Sequence, residues 1–134
     1  MAKKILLVDD DKDLVGTLAQ ALSVNGYTVV PAYSGAEGLQ KLLAEKPDLM
    51  LLDVMMETDT AGFEISYQIR SDRPTSKYKD VKATPIIMIT AINQVTNNRF
   101  SLNEDANFLP KINDFLTKPV KIDELLGKIK NVIG

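Results

Sequence analysis

At 134 residues and 45% hydrophobic content, the chain is sized for one domain with a single buried core. Sixteen basic residues against eighteen acidic ones give a formal net charge of -2, so no global basic field exists to hold nucleic acid or an anionic membrane. Cysteine and histidine are both absent, which excludes disulfides, thiolate zinc sites and Ser-His-Asp triads and leaves oxygen-bound hard cations such as magnesium as the metals to expect.

The first strand is expected in "KKILLVD" (3 to 9), which runs straight into three consecutive acids, Asp9, Asp10 and Asp11. Its apolar run is too short for a signal peptide, and no stretch approaches a membrane span, so a cytoplasmic protein is expected. Leu14, Val15, Leu18, Ala21 and Leu22 then recur at helical spacing, with Asp11 placed to cap and Asn25-Gly26 to end the helix in a left-handed turn. "YTVVPAY" (27 to 33) reads as a strand that Pro31 pushes to a sheet edge. Ala36, Leu39, Leu42 and Leu43 mark a second helix closed by Pro47.

"DLMLLDV" (48 to 54) is almost wholly apolar, as a strand buried on both faces should be, and it carries Asp53 near its end. A third helix is expected from about Gly62 to Ser71, then a polar exposed loop over 72 to 84. A fourth strand follows in "PIIMIT" (85 to 90), a further helix, whole or broken in two, within 92 to 111, and a fifth strand in "INDFLT" (112 to 117). Ile122, Leu125, Leu126, Ile129, Val132 and Ile133 form the apolar stripe of a last helix, with Asp123 and Glu124 in its first turn. Strands alternating with helices predict a parallel sheet wrapped on both faces.

In such a sheet the ligand crevice lies beyond the carboxyl ends of the strands. Asp9 and Asp10, Asp53, Thr90 and Lys118 all fall there, so parallel strands would gather them on one edge. Adjacent carboxylates raise one another's pKa unless a cation relieves them. Three in one crevice suit a hard divalent ion, and an ammonium with a hydroxyl donor suits a tetrahedral anion beside it. A carboxylate can itself attack phosphorus to form an acyl phosphate. Asp53 is the candidate nucleophile, standing alone at the end of the most buried strand.

The blocks "ILLVDDD", "NGYTVVPAYSGAEGL", "PDLMLLDVMM", "PIIMITA" and "DFLTKP" together resemble, in order and spacing, the receiver domain of response regulators in two-component signalling. The resemblance implies a flavodoxin-like (βα)5 doubly wound sandwich, a five-stranded parallel sheet in order 2-1-3-4-5, filling 1 to 134 as a single receiver without an output domain. It implies that Asp53 accepts the phosphoryl group and that Mg2+ is ligated by Asp10, Asp53 and the carbonyl of Met55, with Asp9 acting largely through water. Lys118 is implied to contact the phosphoryl group across a cis bond to Pro119, and Thr90 and Phe115 to form the switch pair. The implied donor is a histidine kinase or histidine phosphotransfer protein in a bacterial phosphorelay, or a small acyl phosphate, because this chain has no histidine to offer. Its output would be protein binding, with self-phosphorylation and self-dephosphorylation as its only chemistry.

The chain departs from the family's pattern at Glu57, where a proline is usual, and at Lys111-Ile112, where Gly-Ala is usual. Asp11 reads as a helix cap and Asp13 as a solvated first-turn acid; Met50, Met55, Met56 and Met88 read as packing. Glu57, Asp59 and Glu64 lack the spacing of a calcium loop. Two other functions use the same residues: a Mg2+-dependent phosphatase or phosphotransferase with Asp53 as nucleophile, and a receiver-like binding module that works without phosphorylation. The first lacks the Asp-x-Asp pair common in such enzymes; the second is opposed by the intact five-residue set. Met55 and Ile92, beside the phosphate by the resemblance, are apolar and cannot orient a water by hydrogen bonding, so a slowly hydrolysed acyl phosphate is expected.

Overall fold

The structure is a computed structural model that describes residues 2–54, 61–71, 73–91 and 112–134. Met55, Glu57, Ile92, Lys111 and the helix expected within 92 to 111 lie outside the described residues. Five strands, β1 (Lys4–Val8), β2 (Thr28–Ala32), β3 (Leu49–Asp53), β4 (Ile86–Ala91) and β5 (Asp114–Lys118), form one parallel sheet in the order β2-β1-β3-β4-β5. Helices α1 (Lys12–Val24), α2 (Gly35–Glu45), α3 (Ala61–Ile69) and α4 (Ile122–Ile133) accompany it.

Side-chain alternation along the strands divides the core into two layers. Leu6 and Val8, Met50 and Leu52, and Ile86 and Met88 face α2 and α3 with Leu42, Ile65 and Ile69. Ile5 and Leu7, Leu49 and Leu51, and Ile87 and Ile89 face α1 and α4 with Leu18, Leu22, Leu125 and Ile129. The strand residues of both layers are 0% exposed, which is why β1, β3 and β4 read as unbroken apolar runs. Each such side chain contributes about 1.5–3 kcal/mol of burial. Pro31 does lie in an edge strand, paired only on the β1 side.

Helix ends follow their local chemistry. The Asp11 carboxylate accepts from the amides of Asp13 and Leu14 at 3.1 Å, satisfying two donors that open α1. Asp11→Ala should therefore cost about 1 kcal/mol, read as a lower urea midpoint with an unchanged slope. The turn after α1 passes through Gly26 at φ +91, as expected of Asn-Gly. Helix α2 ends on Lys46 at φ +45, a left-handed lysine forced where Pro47 cannot continue the helix.

Two expectations need correction. The loop over 72 to 84 is not wholly solvated: Tyr78 and Val81, which precede and end a 3-10 turn at Lys79–Val81, are 6% and 4% exposed and join the α2–α3 layer. Burial of these two apolar side chains outweighs the polarity around them. The fifth strand starts two residues later than "INDFLT" implied, because Asn113 spends both its amide and its Oδ1 on Ile86, at 2.8 and 2.9 Å, before the ladder begins at Ile87–Asp114.

Candidate functional site

Strand register brings the predicted residues to one edge. Val8 pairs with Leu52, so Asp9 and Asp53 lie one step further on neighbouring strands. Asp53 pairs with Ile89, Thr90 with Thr117, and Ala91 with Lys118, which carries the edge across to β5. The β3 acid Asp53 is 2% exposed, Asp9 and Thr90 are 0% exposed, and Asp10 faces solvent. The Lys118–Pro119 bond is cis.

The Lys118 ammonium bridges the two buried acids, 3.4 Å from Asp9 Oδ2 and 3.5 Å from Asp53 Oδ1. Burial lowers the Lys118 pKa, but electrostatic attraction to Asp53 and Asp9 outweighs it, and the net shift is upward. Lys118 therefore stays charged throughout the neutral range. Asp9 Oδ1 accepts from the Asp11 amide at 3.0 Å, which fixes the carboxylate plane.

Asp9, Asp10 and Asp53 each place a carboxylate oxygen within 4.8 Å of the others. Three carboxylates and one ammonium leave the cluster at a net charge of -2. Among the described residues, Asp9 Oδ2 is buried without a hydrogen-bond partner; its contact with Lys118 is a charge contact without hydrogen-bond geometry. A buried oxygen in that condition, within an all-oxygen donor set of excess negative charge, fits a hard divalent cation. Such an ion, when bound, would offset the mutual repulsion of the acids and the charge on an approaching phosphoryl group. Met55, whose carbonyl the family resemblance implies as a further ligand, lies outside the described residues.

Of the two residues expected to form a switch pair, Thr90 is buried at the crevice, while Phe115 is half-buried, packs against the α2–α3 layer and pairs with Met88. They stand on adjacent strands. Gly62 is a positioning residue that sequence reasoning passed over as a mere helix start. A Cβ there would lie 2.5 Å from the Asp53 carbonyl oxygen and 2.7 Å from Val54 Cα, and the Gly62 amide donates to the Val54 carbonyl at 2.8 Å. The start of α3 is thus pressed against the strand end that carries Asp53. A glycine nine residues after the candidate nucleophile was the available signal.

The family description "Response regulator receiver domain" matches residues 5–130. The chain is 34% identical over 133 residues to "Response regulator MprA" of Mycobacterium ulcerans, covering 99% of this chain and 51% of that protein. It thus spans about half the length of the curated relatives it matches. Among solved structures, a putative response regulator from Chloroflexus aurantiacus superposes with TM-score 0.79 at 30% identity, covering 99% and 98% of the two chains. The chemotaxis response regulator CheY4 of Vibrio cholerae superposes with TM-score 0.77 at 29% identity, covering 98% and 99%. Both are similar in fold and in sequence over essentially the whole chain.

Proposed function

The chain belongs to the response regulator receiver domain family, and on that premise we propose that Asp53 accepts a phosphoryl group and thereby switches a protein-binding face formed by β4 and β5. The observation that carries this reading is the Lys118 ammonium held 3.5 Å from Asp53 while also bound to buried Asp9. Asp53 supplies the attacking oxygen, and Lys118 is placed to neutralise charge on the phosphoryl oxygens once they displace its contact with the acids. Asp9, Asp10, Asp53 and the Met55 carbonyl would hold Mg2+. Thr90 would move its hydroxyl toward a phosphoryl oxygen, with Phe115 following on the adjacent strand.

The donor is a phosphohistidine on a histidine kinase or phosphotransfer protein, or a small acyl phosphate, and the setting is the cytoplasm. Among the described residues no helix is long and apolar enough to cross a membrane, which fits that setting. Catalysis is confined to phosphoryl gain and loss on the chain itself. Intact mass spectrometry with a small acyl phosphate should show one phosphoryl addition with Mg2+ and none with a chelator. Addition that is indifferent to chelation would sink the metal assignment. The apolar Met55 and Ile92 predict a phosphorylated form that outlasts seconds in magnesium buffer; decay within seconds would mean that Glu57 or another group orients the water.

A further inference from the structure

The segment between α3 and β4 holds five basic residues, Arg70, Arg73, Lys77, Lys79 and Lys82, against Asp72 and Asp80, in a chain that is acidic overall. It leads into the amino end of β4, so it sits at the pole of the sheet opposite Asp53. Burial of Tyr78 and Val81 and a hydrogen bond from the Arg70 guanidinium to the Lys82 carbonyl fasten it to the body of the domain.

Within it is a shallow cleft of about 260 Å³ beside Gln68, lined by Ser71, Arg73, Thr75, Ser76, Lys77 and Tyr78. No carboxylate among the described residues lines it; Asp80 stands outside the lining. Arg73 and Lys77 make no ion pair among the described residues. Lys77 Nζ is instead held 5.4 Å from the centre of the Tyr78 ring. Ser71 Oγ accepts from the Arg73 amide and Ser76 Oγ from the Tyr78 amide, both at 3.2 Å. Each hydroxyl has its acceptor role engaged by backbone, which leaves its hydrogen to donate outward. Two cations, one of them a guanidinium fork, and two hydroxyl donors on a fastened backbone match a tetrahedral oxyanion.

We propose that this cleft binds a phosphate group, as free phosphate or as a phosphate monoester, at a site separate from the Asp53 crevice. The proposal rests on the cleft alone and stands whether or not Asp53 is phosphorylated. The test is an amide-resolved NMR titration of the whole chain with sodium phosphate and with phosphoserine, each matched in ionic strength by sodium chloride. Saturable shifts at Arg73, Ser76, Lys77 and Tyr78 are expected with both phosphate probes and not with chloride. Tighter binding of phosphoserine would identify the ligand as a monoester, and equal binding as free phosphate. Replacing both exposed cations, Arg73→Gln with Lys77→Gln, should weaken binding about tenfold. The melting temperature should stay unchanged, since neither side chain is buried. Shifts that chloride reproduces, or that are confined to Asp9, Asp53 and Lys118, would overturn the proposal.

Discussion

Asp53→Asn is expected to abolish phosphoryl addition from a small acyl phosphate and to remove most of the thermal stabilisation that Mg2+ gives the native chain. The substitution keeps the side chain's shape in a site only 2% exposed, so the fold has little reason to change. What it removes is the oxygen proposed as nucleophile and one of the three carboxylate donors lying within 4.8 Å of one another. A ligand that binds only the native state stabilises it by about 1.4 kcal/mol at tenfold excess over its dissociation constant. In a domain of this size that is a rise in Tm of roughly 5 °C for the parent chain. The variant should show a fraction of that rise. Phosphoryl addition that survives Asp53→Asn would move the acceptor to Asp9 or Asp10, and an undiminished Mg2+ shift would remove Asp53 from the ligand set.

Gly62→Ala is expected to destabilise the chain by about 2 kcal/mol, a large share of a total that for such domains is roughly 5–15 kcal/mol. The added carbon would meet the Asp53 carbonyl oxygen at 2.5 Å and Val54 Cα at 2.7 Å, and both are backbone atoms that no rotamer change can move aside. Relief requires α3 to lift from the end of β3, which stretches the hydrogen bond that the Gly62 amide donates to the Val54 carbonyl. Phosphoryl addition should slow as well, since the same strand end carries Asp53. Gly16→Ala is the internal comparison: nothing lies within 4 Å of a Cβ at that exposed position in α1, and alanine there should stabilise by about 0.5–1 kcal/mol. Urea midpoints that move in the same direction for both variants would remove the close approach as a cause.

The sheet was legible because β1, β3 and β4 are buried on both faces, which allows no polar interruption from Ile5 to Val8, Leu49 to Leu52 or Ile86 to Ile89. The gathering of Asp9, Asp53, Thr90 and Lys118 was legible because each stands at or just after the end of a strand, and parallel pairing brings those ends to one edge. Gly62 was not, since a close backbone approach depends on a contact across the fold and a lone glycine reads equally as a helix start. The anchoring of the 72 to 84 segment was hidden in the same way. Tyr78 and Val81 are isolated in a polar run with no period, and only their packing beside Ile69 and Ile86 shows that they belong to the core. The late start of β5 was masked by Ile112, whose partial burial precedes the ladder.

Edge strands tend to recruit further strands, and β2 is paired on one side only, with Pro31 at its fourth position. Proline has no amide hydrogen, so the row of donors on this strand has a gap that an incoming chain would have to bridge. The flanking helices narrow access further, since α1 and α2 both pack on β2. An incoming strand would thus meet both a missing donor and two packed helices at this edge of the sheet.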